Sequence, residues 1–192
     1  MDLWKLILDT PNLDWLLLTK RPENAMEMLP FNWKVRALPD NIWLGTSVEN
    51  QETADERIPH LLKVPAAIHF VSMEPLLGPV DLNEHEFLID KRRFQYTIGR
   101  YLDWVIVGGE SGPHARPMHP DWVRSIRVQC QEAGVSFHFK QHGEWVPGDH
   151  PAHGTHWEYV GKDKFAVKRV GKKAAGRLLD GREWNEYPEV HP

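Results

Sequence analysis

Five short apolar runs recur along the chain, and each ends in polar or charged residues. Asp14 to Leu18 runs into Thr19-Lys20-Arg21-Pro22, Ile42 to Gly45 into Thr46-Ser47-Val48-Glu49-Asn50, and Ala67 to Val71 into Ser72-Met73-Glu74-Pro75. Trp104 to Val107 meets Gly108-Gly109-Glu110-Ser111-Gly112, and a last run from Val135 ends at Gln141. Runs of this length bounded by turn residues predict strands, and their separation by about 25 to 35 residues is that of a βα unit. The intervening segments supply the helices. Leu3, Leu6 and Ile7 repeat at helical spacing, Pro22 to Met28 reads as a short helix, and Gln51 to Leu62 opens with Glu52, Asp55 and Glu56, which suits a helix dipole. Asp121 to Ala133 follows Pro120 and precedes Gly134, a start and a stop for a helix. Strands joined through such helices are parallel, with right-handed crossovers. The predicted fold class is therefore α/β with a parallel sheet, whose strand carboxyl ends share one surface. Ligands bind there in open sheets and in closed barrels alike.

Outside the repeats, Phe31 to Asp40 reads as an irregular link, Leu76 to Leu82 as a loop, and Asn83 to Tyr101, charged and weakly periodic, as an insertion between units. After Trp145 the character changes. Pro147 to His156 is rich in Gly, Pro and His, and then Trp157 to Val160 and Phe165 to Val167 bracket Gly161-Lys162-Asp163-Lys164, which predicts a β-hairpin. The expected organisation is a βα body over residues 1–146 with a carboxyl-terminal β-hairpin and tail over 147–192.

With 41% hydrophobic and 10% aromatic residues in 192, the chain can build a core. A net charge of −4 argues against a non-specific nucleic-acid binder as a whole and leaves room for a local basic patch. The single cysteine, Cys130, excludes a disulfide framework or a cysteine metal site within the chain, and its helical setting predicts a small buried residue. No run approaches the ~20 apolar residues of a membrane span, and the amino terminus lacks a secretory pattern, so a cytoplasmic protein without membrane contact is expected.

Candidate chemistry gathers at the predicted strand ends. Gly108 and Gly109 permit close backbone approach to a ligand, and Glu110 can accept bonds from an amino group or ribose hydroxyls; the plainer reading is a tight turn with a solvated carboxylate. Lys20 or Arg21 suits a carboxylate or phosphate, while Glu49 and Glu74 suit an amine or proton transfer, with Lys140 beside them; the alternative is a network of ion pairs capping the strands. Ser111 to Met118, carrying His114 and Arg116 and followed by His119, precedes a helix amino terminus and is either an anion site or a solvated loop. His150, His153 and His156 recur at three-residue intervals in a Gly/Pro-rich stretch without supporting carboxylates, so no metal site is expected. Val170 to Arg177 is basic and glycine-flanked but lacks the Gly-Lys-Ser/Thr ending of a phosphate-binding loop; it either touches phosphates or starts a solvated helix. Trp15, Trp43 and Trp104 are expected in the core, and Trp145 and Trp184 are the candidates for a stacking surface.

The strings LLLTKRP, GTSVEN, ERIPHLL, SMEPLLGPVDL, DWVIVGGESG, ARPMHPDWVRSIRVQC, FKQHGEW and VGKKAAGRLLDGREWNEYP resemble a bacterial and phage family, phage protein gene product thirty-seven/sixty-eight, a domain of unknown function. The resemblance covers nearly the whole chain. It implies a partial TIM-like barrel of the radical S-adenosylmethionine type, and members begin with a three-cysteine segment that ligates an iron–sulfur cluster. This chain keeps only Cys130, outside that segment. Neither the cluster nor S-adenosylmethionine is then expected on this chain alone, both being possible in a full-length form, because three thiolates leave one iron open to that cofactor. The expectation is a fragment of a longer gene or a cluster-free relative. Two functions follow: the later part of a radical S-adenosylmethionine-like enzyme of unknown substrate, or a non-catalytic module binding a nucleotide, nucleic acid or protein on the same face. A sheet lacking neighbours also implies self-association through an open edge.

Overall fold

The computed structural model describes residues 3–35, 38–83, 85–89, 92–96 and 101–189. Five parallel strands, β1 (Trp15–Thr19), β2 (Ile42–Ser47), β3 (Ile68–Met73), β6 (Trp104–Gly108) and β7 (Ser136–Gln141), pair in that order. Between β3 and β6 lies an antiparallel pair, β4 (His85–Ile89) and β5 (Arg92–Tyr96). Register places Leu17 beside Leu44, Gly45 beside Phe70, Val71 beside Val105 and Val107 beside Phe139. Spatial order follows chain order with no reversal, so crossovers of one hand bring every connecting helix to one face.

Side-chain alternation divides the sheet accordingly. Ile42, Leu44, Val71, Met73, Val105, Val107, Phe137 and Phe139 join the helical layer in the main core. That layer comprises α1 (Leu3–Asp9), α2 (Ala25–Met28), α3 (Phe31–Val35), α4 (Gln51–Leu61) and α5 (Pro120–Ala133), which contribute Ile7, Trp33, Ile58, Leu61, Val123 and Ile126 among others. The opposite face carries a separate aromatic cluster of Trp43, Ile68, Phe70 and Trp104. Gly45 is required there, because a Cβ at that position would sit 2.4 Å from the Phe70 ring.

Local chemistry fixes the helix ends. Asn50 Oδ1 accepts from Thr53 N while Thr53 Oγ1 accepts from Asn50 N, a reciprocal cap on α4. His119 Nδ1 accepts from Asp121 N at the start of α5, and Gly134 ends it at a φ of 70°. Beyond β7 a second, three-stranded antiparallel sheet forms from β8 (Trp145–Pro147), β10 (Phe165–Arg169) and β9 (His156–Val160), in that spatial order. Its inner face, Trp145, Val160 and Val167, packs with Ala115 and reaches Trp122 of α5.

The predicted hairpin is present, joined by a third strand, β8, whose three residues are too few for alternation to reveal. One expectation is corrected. Phe31 to Val35 is a short helix and not irregular, because Trp33 is drawn into the core where it meets Trp4 edge-on. The insertion after Asn83 contains the β4–β5 pair; its residues 84, 90, 91 and 97–100 lie outside the described residues.

The β7 edge is covered. Phe139 N donates to Trp184 O and Glu186 N to Phe137 O, so the carboxyl-terminal segment runs antiparallel along it. The outer edge of β1 has no backbone partner among the described residues, and Leu16 and Leu18 beside it are 45% and 51% exposed. No helix among the described residues is long and apolar enough to cross a membrane.

Candidate functional site

Parallel pairing brings the ends of all five strands to one side, with Lys20, Arg21, Glu49, Glu74 and Glu110 just after them and Lys140 near the end of β7. They resolve into three ion-paired groups. Lys20, directly after β1, donates to Glu49 Oε1 at 2.6 Å, and Arg57 from α4 donates to Glu49 Oε2 at 2.9 Å and to the Ser47 carbonyl. Burial would raise the Glu49 carboxyl, but the Lys20 hydrogen bond and the Arg57 charge outweigh it and hold the group below the usual carboxylate range. Arg21 is exposed beside this group, its backbone N–H donating to Thr19 Oγ1.

Glu74 and Lys140 form the second group, at 2.9 Å. Gly108 explains their position: a Cβ there would lie 2.5 Å from Glu74 Oε1, so the missing side chain is the space the carboxylate fills. Gly109 has another cause. Its Cβ would stand 1.9 Å from the His142 carbonyl oxygen, and Gly143 approaches the Glu110 carbonyl as closely in return. The expected close approach exists, but it is made to the chain itself where β6 and β7 end together.

Glu110 and Arg116 form the third. The guanidinium grips both carboxylate oxygens at 2.9 and 3.0 Å, and the Arg116 backbone N–H adds a third bond at 2.7 Å, closing residues 110–116 into a tight loop. The Arg116 hydrogen bond holds the Glu110 carboxyl below its ordinary value. The field of Glu49 also reaches Arg116, which ties the first group to the third across the face. Ser111 Oγ accepts from Gln141 Nε2. Arg169 of β10 donates to the Gly112 and Pro113 carbonyls, anchoring the loop to the second sheet.

The arrangement thus realises the capping-network reading: each of the three carboxylates has a basic partner. Lys20, Arg21, Arg57, Arg116 and Lys140 share this surface with Glu49, Glu74 and Glu110, within a chain whose net charge is −4. An anion finds donors there. Glu49 and Glu110, whose carboxyls are held below their ordinary values, are poor proton-transfer groups, since catalysis needs a pKa near the working pH.

One residue missed in the sequence joins the site. In Ser136-Phe137-His138-Phe139-Lys140 the two Phe point into the helical core, so His138 and Lys140 share the opposite face. His138 lies edge-on to Trp104 and Tyr187, its Nδ1 is buried without a partner, and burial, aided by the Arg177 charge, lowers its pKa and keeps it neutral. The period-two signal was legible in that strand.

Other candidates lie elsewhere. His119 is buried, with Nε2 on Asp163 at 3.1 Å. His150 Nδ1 accepts from Ala152 N and His156 contacts Glu158, and among the described residues no group of three His, Cys, Asp or Glu is placed to hold a metal. Trp145 and Trp184 are not stacking surfaces: both are 6% exposed, Trp145 Nε1 donates to the Ala115 carbonyl, and Arg127 and Arg182 lie over the Trp184 ring. Cys130, on α5, is buried in the main core and its thiol is pushed up to about 12 by burial. A cavity of about 680 Å³ beside it, lined by Asp103, Ser136, Glu186 and Tyr187, opens at the amino ends of the strands, away from the charged face.

The sequence profile of a family described as a protein of unknown function, DUF5131, matches residues 1–188. No curated protein and no solved structure matches the chain.

Proposed function

The chain belongs to this DUF5131 family, and we propose that the carboxyl-end face of its parallel sheet binds an anionic small molecule of nucleotide type. The observation that carries the reading is a set of accessible cations where five strand ends converge: Arg21 is exposed, and Lys20 and Lys140 are each more than half exposed despite their partners. Carboxylate or phosphate oxygens compete for such donors, and the ionised Glu49 and Glu110 are suited to accept from an amine or ribose hydroxyls.

The sheet, in this reading, corresponds to the later part of a radical S-adenosylmethionine-like βα barrel from a phage-related family. Sequential strand order with helices on one face is what such a barrel requires, and an open doubly wound sheet would reverse its order. S-adenosylmethionine offers a carboxylate to these cations and an amine and a sulfonium to Glu49 and Glu110, but its net charge is positive, so it is expected to bind more weakly than ATP. An iron–sulfur cluster does not fit these residues: one cysteine, buried and with a raised pKa, cannot supply three thiolates. The three ion-paired carboxylates favour binding over catalysis by this chain's own residues.

Calorimetric titration with S-adenosylmethionine, adenosine and ATP tests the reading. Expected is binding that rises with anionic charge and falls at least tenfold in Lys20→Ala/Arg21→Ala. Equal affinity for uncharged adenosine and for ATP, or binding indifferent to that pair, would remove the anion site.

A further inference from the structure

We infer that the exposed Trp157–Tyr159 side of β9 is a docking surface for single-stranded nucleic acid. The inference concerns a different surface from the strand ends and stands independently of that site. Alternation along β9 turns Trp157 and Tyr159 to one side, and Val160 on the other parity enters the core shared with Val167. Trp157 is 54% and Tyr159 70% exposed, two residues apart and so about 7 Å apart along the strand. Cross-strand, Trp157 faces Lys168 and Tyr159 faces Ala166.

The Trp157 ring is held in place. A Cβ on Gly148 would lie 3.0 Å from it, so the indole rests against bare backbone, and Lys168 Nζ lies 5.5 Å from its centroid. The Lys168 stem is packed against Gly154, where a Cβ would sit 2.8 Å away. A ring held by Gly148 and Lys168 and still 54% exposed is a stacking platform, and base stacking on such rings tolerates any sequence.

Charge selects the occupant. Residues 156–177 hold seven Lys and Arg against two acidic residues, in a chain of net charge −4. Both acids are engaged away from the aromatic row: Asp163 with His119 at 3.1 Å, and Glu158 with His156 at 3.0 Å on the opposite parity. Lys162 and Lys164 follow Tyr159 in the β9–β10 turn, and Lys172 and Lys173 follow β10 beyond the Trp157 end. None of these four lysines has a carboxylate partner among the described residues. Two open rings between two pairs of unneutralised lysines match a chain of bases with a phosphate backbone. A proline-rich or apolar protein segment would use the rings and leave the lysines unanswered.

The test is fluorescence anisotropy of the full chain with fluorescein-labelled twelve-nucleotide oligo(dT), oligo(U) and a duplex of equal length, at several salt concentrations. Expected is saturable binding of the single strands, weaker binding of the duplex, and a loss of at least about tenfold for each of Trp157→Ala and Tyr159→Ala. Lys162→Ala/Lys164→Ala should reduce the slope of log K against log salt by about 1.4, since each phosphate contact on a single strand contributes about 0.7. Urea melts of all variants, whose changed side chains are exposed or in the turn, establish that they fold. Absence of saturable binding at 50 mM salt (a value on the order used for phosphate-driven association), equal affinity for duplex, or affinity unchanged in the folded Trp157→Ala/Tyr159→Ala variant overturns the inference. So does sedimentation showing that this face joins two copies of the chain while no oligonucleotide binds.

Discussion

Adding a methyl group at Gly108 and at Gly109 should have very different costs, although the two are adjacent and both sit where β6 ends. At Gly108 the new Cβ meets Glu74 Oε1 at 2.5 Å and its Cγ at 3.0 Å. That is the end of a flexible side chain, 18% exposed, and it can swing outward. What is lost is its pair with Lys140, about 0.2–1 kcal/mol for a partly exposed bridge. Against this, Ala restricts the unfolded chain, a gain of about 0.4–1 kcal/mol. Gly108→Ala should therefore change stability by about 1 kcal/mol or less, or about 2–4 °C in Tm for a chain of this size. At Gly109 the Cβ lands 1.9 Å from the His142 carbonyl oxygen and 2.7 Å from its carbon. Backbone cannot rotate away. Relief requires moving the segment that accepts Gly109 N–H at Gln141 O and donates Glu144 N–H to Glu110 O. The expected loss is about 3 kcal/mol or more, at the top of the range for overpacking. Urea unfolding followed by circular dichroism measures both. Combining Gly108→Ala with Glu74→Ala should remove the clash, so the double variant should lose less than the two single changes added together. Equal losses for Gly108→Ala and Gly109→Ala, or an additive double variant, would refute the assignment of Gly108 to making room for the carboxylate.

The pH dependence has two limbs. Burial lowers the pKa values of His69, His138 and His142 from the ordinary 6.5, so the stability they contribute is complete above that value and is lost as pH falls through the lower folded values. Urea midpoints should decline from about pH 6.5 downward, and midpoints flat to pH 5 would contradict it. Glu49 and Glu110, depressed from 4.5, add a steeper loss below that value, which Glu49→Gln should flatten in the same assay. Cys130, buried with its pKa pushed to about 12, should resist thiol reagents until the chain unfolds; stoichiometric labelling of native protein would show the helix α5 interface to be open. Trp184→Ala should cost about 3–5 kcal/mol and should also speed amide exchange at Phe139, whose N–H donates to the Trp184 carbonyl.

The strands were legible because each apolar run ends abruptly in charged residues, and a parallel sheet leaves few other ways to arrange βα units. Gly134 and Pro120 marked the ends of α5 for local steric reasons that hold in any context. What sequence could not supply was partner choice. Glu49 and Arg57 lie eight residues apart, but Lys20 and Glu49 are separated by 29 and Glu74 and Lys140 by 66, and only the pairing order of the strands makes them neighbours. The glycines at 108 and 109 pointed correctly to close approach without naming what approaches, since a missing side chain does not say what occupies its space. Trp145 and Trp184 were misplaced for a related reason: a tryptophan near a chain terminus or loop reads as exposed, and here each is covered by a segment folding back from far along the chain. Trp157 and Tyr159, inside a correctly expected hairpin, carried the open faces instead.

The central claim is that the strand ends form an anion site. The most direct measurement is a nuclear magnetic resonance titration of the Lys and Arg side-chain signals with ATP. Lys20, Arg21 and Lys140 should shift together along one saturable curve, and Lys20→Ala/Arg21→Ala should weaken it at least tenfold while Lys5→Ala, at an exposed pair with Asp9 on α1, leaves it unchanged. Shifts spread evenly over all surface cations, without saturation and without sensitivity to Lys20 and Arg21, would contradict it.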